Sequence, residues 1–341
     1  MNVMMPEQRV NAEIVPQEVI DAVRKMRAPV LIAHVVPDAD ALGCIFALAR
    51  VLGERGVKAC VSLPDCVLSQ RLTFLFAMAH VRVATPDDFK AADGFVVMDT
   101  AKKDRCCVGK LLKDTDWSAG RPIVNIDHHE TNTRFGDVLW IVPSASSSCE
   151  LVYRLVVALG GRVDAITASL LYAGIQTDTL GFSLPSTTPS SLRAAADLTE
   201  FGADVGDLCE RLGRSQSQSE FELLRIIYDN TKTAAEGRIA YSSASFDEIK
   251  GAGCTAADID DQINVPRSLD GVRLAMLFTE GNQGKTRINF RSSGNVTVTE
   301  LAAQFGGGGH AQASGAILSC SMPTAIDQVI PKAIEHIKKF A

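Results

Sequence analysis

The sequence predicts an α/β protein of two domains, an N-terminal doubly wound, mostly parallel sheet and a smaller C-terminal α/β domain. Three observations predict it. Short apolar runs alternate with helix-patterned segments through the first half, the signature of βαβ units. Asp- and His-rich clusters sit where several of those runs end, and in open parallel sheets ligands bind beyond the carboxyl ends of the strands. From Arg238 onward the strand-like runs need a sheet of their own. A chain of 341 residues suits two domains of ordinary size.

Pro16 to Met26 reads as an amphipathic helix, with Val19, Ile20, Val23 and Met26 on one side. Pro29 to His34 is a strand, followed by the loop Val35-Val36-Pro37-Asp38-Ala39-Asp40-Ala41-Leu42-Gly43. Cys44 to Leu52 is a helix that ends near Gly53 and Gly56. Val57 to Ser62 is the next strand, Phe74 to Ala79 is helical, and Val81 to Ala84 is short and strand-like. Gly94 to Asp99 and Arg121 to Asp127 are strands, and Ser148 to Leu159 and Ala165 to Ile175 are helices. The polar, proline-bearing stretch Leu184 to Ser190 breaks this alternation. Helical stretches from Ser190 to Glu200 and from Ser219 to Ala235 then suit a connector between lobes. Beyond it, Ile239 to Ser243, Val272 to Thr279, Lys285 to Arg291 and Ala316 to Ser319 read as strands, with helices at Thr299 to Gln304 and Ala325 to Phe340. The expected division is a first domain over 1–188, a helical connector over 189–235 and a second domain over 236–341.

Composition narrows the function. A net charge of −6 argues against a protein that coats duplex DNA, although it leaves room for a local basic pocket. Hydrophobic content of 46% is that of a globular chain with real cores. No apolar run approaches the ~18 residues of a membrane span. The first residues carry Glu7 and Glu13 and lack a long apolar core, which argues against a signal peptide. The nine cysteines lack CxxC spacing and include the pair Cys106-Cys107; they read as reduced, buried thiols. The expectation is a cytoplasmic protein.

The clusters carry the chemistry. Pro37 keeps the loop after the first strand extended. Residues two apart on an extended segment face the same way, so Asp38 and Asp40 can point together, with His34 arriving from the strand end. The structural alternative is a helix start capped by Asp40. Asp99-Thr100-Ala101 lies at another strand exit, Asp127-His128-His129 at a third, and Asp178 follows a helix. A tight turn after Asp127 would give the adjacent histidines separate tasks. Gathered in one pocket, Asp38, Asp40, Asp99 and Asp178 supply four negative charges, prohibitively repulsive if left unbalanced. Two divalent cations would balance them, as in two-metal sites whose ions lie ~3.5–4 Å apart. Carboxylate and imidazole donors without thiolate favour Mn²⁺ over Ca²⁺ or a structural zinc. In the second domain, Gly306-Gly307-Gly308-Gly309-His310 would be costly in any helix or strand. It reads as a backbone loop that approaches a phosphate or carboxylate, with Arg291 and Ser314-Gly315 completing an anion pocket.

Taken together, His34-Val-Val-Pro-Asp38-Ala-Asp40, Asp99-Thr100-Ala101, Asp127-His128-His129 and Gly174-Ile-Gln-Thr-Asp178 resemble the four motifs of the DHH phosphoesterase family. Phe305-Gly-Gly-Gly-Gly-His310-Ala-Gln-Ala-Ser314-Gly315 resembles that family's associated C-terminal substrate-binding domain. The resemblance runs from about residue 16 to 335. It implies that His34, Asp38 and Asp99 hold one Mn²⁺, and that Asp40, Asp99, His128 and Asp178 hold a second, with Asp99 bridging. His129 would contact the scissile phosphate or assist the leaving group. Asp127 would orient the histidines beside it. Arg291, Gly306 to Gly309, His310 and Ser314 would grip the terminal nucleotide or its phosphate.

Length and domain content are similar to those of the family's compact bifunctional oligoribonucleases, the nanoRNase and phosphoadenosine-phosphate phosphatase group. RecJ-type exonucleases are longer, and membrane-bound cyclic-dinucleotide phosphodiesterases add segments absent here. The resemblance implies a Mn²⁺-dependent enzyme acting on very short single-stranded RNA or on 3′-phosphoadenosine 5′-phosphate, and a homodimer. Two rivals stand beside it: a phosphodiesterase of linear or cyclic dinucleotides, and a nucleotide-binding regulator without chemistry. One departure is that Leu180-Gly181-Phe182-Ser183 stands where many members read Gly-x-Phe-Arg.

Overall fold

The structure is a computed structural model; it describes residues 14–340 apart from 65–67, 69, 111, 113–114, 215–216, 256–257 and 282–283. The chain divides into two compact units, Met1–Ser215 and Gln216–Ala341.

The first unit runs α1 (Gln17–Lys25), β1 (Val30–Ile32), α2 (Ala39–Glu54), β2 (Cys60–Ser62), α3 (Thr73–Ala79), α4 (Pro86–Ala91) and β3 (Phe95–Met98). It continues through β4 (Ile123–Asp127), β5 (Val138–Ile141), α5 (Ser148–Ala158), α6 (Ala165–Asp178), α7 (Pro189–Glu200) and α8 (Val205–Cys209). The five strands pair in the order β2-β1-β3-β4-β5, all parallel. Side chains alternate between faces along a strand. Leu31, Val96, Val124 and Ile126 accordingly enter the larger core with α2, α5 and α6. Val30, Ile32, Phe95, Val97 and Ile123 enter a second core with Phe89 and Trp117. Burial on both faces is why these strands read as unbroken apolar runs. The order reverses between β1 and β3, and such a switch point opens a crevice at the carboxyl ends of the strands.

Several boundaries differ from the sequence reading. α2 starts at Ala39, not Cys44, because Asp38 caps it: its carboxylate accepts the Ala41 N–H at 3.0 Å. Asp40 is therefore inside the helix and is not its cap. Val81 to Ala84 makes one bridge, Val61 to Val83, and no strand. The edge strand β5 and the short helix α4 have no counterpart in that reading. Among the cysteines, Cys44, Cys60, Cys106, Cys149, Cys209, Cys254 and Cys320 are free thiols, whereas Cys107 is joined in a disulfide. That corrects the expectation of reduced thiols throughout; the spacing of Cys106 and Cys107 does not announce which is linked.

The second unit runs α9 (Gln218–Asp229), β6 (Lys232–Ala234), β7 (Ile239–Ala244), α10 (Phe246–Gly251), α11 (Asn264–Arg267) and β8 (Leu274–Glu280). Then follow β9 (Thr286–Ser292), α12 (Thr299–Ala303), β10 (Gly308–His310), β11 (Ala313–Leu318) and α13 (Met322–Lys338). Its sheet has the order β10-β11-β9-β8-β7-β6, antiparallel except between β7 and β8. Met276, Phe278, Ile288 and Phe290 pack under α12 and α13; Ala275 and Leu277 pack on the other face with Leu223, Ile227 and Ile249. The helix expected to reach Ala235 stops at Asp229, because Lys232–Ala234 pair back onto Ile239–Tyr241 across a turn with positive φ at Ala235, Glu236 and Gly237. Among the described residues, no helix is long and apolar enough to cross a membrane.

Candidate active site

The carboxyl ends of β1, β3 and β4 and the last turn of α6 bring the predicted metal ligands together. His34 follows β1, held by a bridge to Cys106. Asp38 and Asp40 lie at the start of α2, the first mostly exposed and the second wholly buried. Asp99 follows β3 with φ +53°, a left-handed conformation that Asp tolerates better than most residues. His34 Nε2 lies 3.9 Å from Asp38 Oδ2 and 3.5 Å from Asp99 Oδ2. On the other side of Asp99, its Oδ1 lies 3.6 Å from His128 Nε2 and 3.7 Å from His129 Nδ1. His128 Nε2 is also 3.2 Å from Asp178 Oδ2. Donor atoms of His34, Asp38 and Asp99 fall within 4.8 Å of one another, as do those of Asp40, His128 and Asp178. Asp99 thus stands between two donor sets.

Asp127 has a different task. It is wholly buried at the end of β4. Its Oδ1 accepts from the His129 Nδ1 at 2.7 Å and from the His128 N–H at 2.9 Å. The tight turn this creates separates the two rings, whose planes cross at 64°. Asn132, which sequence reasoning missed, donates from Nδ2 to Asp127 Oδ2 at 2.6 Å and lies 3.1 Å from Asn125 Oδ1. Nothing in Thr131-Asn132-Thr133 marks that role; an Asn in a loop is ordinary.

Helix packing shapes the remaining wall. Gly174 lets α6 pass against α2, since a Cβ there would lie 2.7 Å from Asp40 Oδ1. Gly43 does the same for the approach of α2 to Leu170, whose carbonyl oxygen would stand 2.5 Å from a Cβ. Asp40 accepts the Ser148 and Cys149 N–H groups at 2.7 and 2.8 Å.

Electrostatics point to cations. Although one side of Asp38 faces solvent, the protein packed around its carboxyl and the charge of Asp99 push it up to about 6, and burial with Asp99 and Asp178 pushes Asp40 well above the usual carboxylate range. Burial opposes the charged form of Asp99 too, but the His34 hydrogen bond and the three imidazoles outweigh it and hold Asp99 low. His34, His128 and His129 are all raised: burial disfavours their charge, and contacts with Asp99, Asp178 and Asp127 overcome it. Such a cluster is neutral only if it gathers protons or cations. The donor set, carboxylates and imidazoles on both sides of one shared carboxylate, fits divalent ions. Cys44 and Cys149 adjoin Asp40, but burial pushes both thiols far up, so they stay protonated.

In the second unit, the glycine run is a strand edge and not a free loop. Gly306, φ +70°, follows the C-terminus of α12 and closes it by a bond to the Ala303 carbonyl at 3.1 Å. Gly307 and Gly309 lie against the backbone of β11, where a Cβ would collide with the Gly315 carbonyl and, at 2.5 Å, with the Ala313 carbonyl. Gly308, like Gly306, has nothing within 4 Å of a Cβ, but unlike Gly306 it has no positive φ to require glycine. Glycine thus makes a strand possible here, because it removes the side chains that would block the close pairing. His310, Ala313 and Arg291 are opposite one another across three strands, and directly opposed residues share a face. Asn289 and Arg287 follow on that face of β9. Ser314, expected in the pocket, is buried and points to the other face, and its Oγ donates to the His310 carbonyl at 2.9 Å.

The fold and cluster define a class, the α/β phosphoesterases with a carboxylate–imidazole centre at the switch point of a parallel sheet. Residues 29–175 match the DHH family N-terminal domain and residues 236–341 match the DHHA1 domain. The chain is 30% identical over 296 residues to the bifunctional oligoribonuclease and PAP phosphatase NrnA of Bacillus subtilis, covering 84% of this chain and 88% of that one. The chain therefore belongs to the DHH family. Among solved structures, an exopolyphosphatase-related protein from Bacteroides fragilis superposes with a TM-score of 0.85 at 24% identity, over 96% of this chain and 99% of that one. RecJ from Thermus thermophilus, in complex with Mn²⁺, shares the fold with a TM-score of 0.52 at 15% identity, over 96% of this chain and 56% of that one.

Proposed function

We propose that this chain is a Mn²⁺-dependent phosphoesterase that releases mononucleotides from very short RNA and removes the 3′-phosphate of 3′-phosphoadenosine 5′-phosphate. The observation that carries the reading is Asp99, with one oxygen facing His34 and the other facing His128 and His129. His34, Asp38 and Asp99 would hold one ion; Asp40, Asp99, His128 and Asp178 would hold the second. When bound, such ions neutralise the phosphoryl oxygens and lower the pKa of water. The chain's own groups do the rest. Asp127 engages His129 through Nδ1, so a proton passed to a leaving oxygen travels by Nε2. His310 and Arg291, brought onto one face by the strand register, anchor the phosphate end of the substrate. A net charge of −6 suits a short substrate gripped at its end better than a long strand in a basic groove. The name of the Bacillus subtilis relative, an oligoribonuclease and PAP phosphatase, supports the same substrates here. Seven of the eight described cysteines are free thiols, which suits the cytoplasm as its compartment; the disulfide at Cys107 is the exception. A homodimer belongs to the same proposal, and analytical ultracentrifugation tests it.

The test is purified protein with Mn²⁺ against 3′-phosphoadenosine 5′-phosphate, RNAs of a few nucleotides, a long RNA, pApA, cyclic-di-AMP and pyrophosphate, with EDTA as control. Mononucleotide release from the short RNAs, abolished by EDTA and weak on the long RNA, is the expected result. No turnover of any substrate with metal bound would reject the reading.

A further inference from the structure

Two of the clustered carboxylates are fixed by a helix that supplies no ligand. α5 starts behind the cluster, capped by Ser147, whose side chain accepts the Glu150 N–H. Its next two N–H groups, from Ser148 and Cys149, are the ones that both oxygens of Asp40 accept. The positive end of an 11-residue helix therefore faces a wholly buried carboxylate. The Ser148 hydroxyl reaches a second carboxylate, with Oγ 3.0 Å from Asp99 Oδ1. Oδ1 is the oxygen that faces His128 and His129, while Oδ2 faces His34. A hydroxyl donates one proton. Spent on Oδ1, it fixes the rotation of the carboxylate and leaves Oδ2 to the His34 side. Ser148 and Asp99 are both buried, so the bond is shielded from bulk solvent.

We propose that Ser148 is a positioning residue of the metal centre, whose hydroxyl orients Asp99 toward the His128 half of the cluster while the start of α5 holds Asp40 for the same half. Resting on the two-ion reading above, this makes the two ions unequal in what supports them. The ion of the His128, Asp178 and Asp40 half depends on α5; the ion of the His34 and Asp38 half does not. Ser148→Ala removes only the hydroxyl. The cap is Ser147, and both backbone donors to Asp40 remain.

The experiment is direct Mn²⁺ titration of the wild type, Ser148→Ala and Ser148→Thr, following free Mn²⁺ by electron paramagnetic resonance, with the melting temperature of each metal-free protein measured alongside. The wild type is expected to take up two ions. In S148A one ion keeps its affinity and the other weakens about 10–100-fold, the usual cost of losing a group that orients a metal ligand. S148T, which keeps a hydroxyl, restores the weakened ion. Asymmetry within one protein is a readout that general loosening of the fold would not give. Two unchanged ions in S148A, equal weakening of both, or a folded S148T that binds like S148A would each overturn the proposal. A folded wild type that binds no Mn²⁺ would overturn the two-ion reading itself, and this inference with it.

Discussion

The cluster on the parallel sheet and the glycine corner of the mixed sheet solve opposite problems. The cluster must hold like charges close together. It does so with fixed hydrogen-bond donors: two α5 N–H groups on Asp40, the Ser148 hydroxyl on Asp99, and the His128 N–H and Asn132 side-chain amide on Asp127. The glycine corner must bring backbones together and leave a surface open. It does so by deleting side chains, at Gly307 and Gly309 for packing and at Gly308 with no packing need at all. One corner is built from hydrogen bonds and the other from missing atoms, so substitutions should break them differently.

The largest effect is expected at Asp99. Asp99→Asn removes the charge shared by both donor sets, and kcat should fall by at least about a hundredfold, the scale of losing one preorganised electrostatic group. Activity within a factor of a few of wild type would show that the two halves do not share Asp99. At the other corner, Gly307→Ala should destabilise the second unit by roughly 3 kcal/mol or more, because the new methyl group meets the Gly315 carbonyl and cannot repack. Chemical denaturation monitored by circular dichroism measures it.

Metal binding comes next. Each Mn²⁺ at a hundred times its Kd should add about 2.7 kcal/mol to the folded state. At roughly 2–4 °C per kcal/mol this raises the Tm of the first unit by about 5–10 °C. EDTA should reverse the rise, and differential scanning calorimetry reads both. Asn132→Ala leaves Asp127 Oδ2 without its side-chain donor and should cost about tenfold in activity with little change in Tm. The smallest change in stability is expected at Gly308. Gly308→Ala should move it by no more than about 0.5 kcal/mol, since the space is open. Its KM for short RNA should nevertheless rise if the open face is where substrate lies, and an unchanged KM would remove Gly308 from the site.

Much of this was legible in the sequence because parallel strands end where ligands gather. His34, Asp99 and Asp127 follow apolar runs, so chain position alone placed them at one sheet edge. Asp178 was legible as a carboxylate one helical turn beyond Gly174. What sequence could not supply was long-range pairing. Asp40 and Ser148 are 108 residues apart, and Ser146-Ser147-Ser148 looks like any helix start, with nothing to say which serine caps and which reaches Asp99. Asn132 is hidden for the same reason. The glycine run was recognised as special, but its reason was only partly visible. Close backbone approach to β11 explains two of its members, and that contact exists only once β10 has folded back.

Gly174 has a consequence for the ions proposed for the centre. The contact it permits is between the backbone of α6 and Asp40 of α2, while Asp178 lies one turn further along the same helix. The backbone separation from which these two carboxylates reach is therefore set by how closely two helices approach. Selectivity between cations of one charge depends on cavity size and rigidity. In the proposed centre a helix-packing distance thus acts as the calliper for ionic radius, and a single methyl group at Gly174 would reset it by pressing on Asp40 itself.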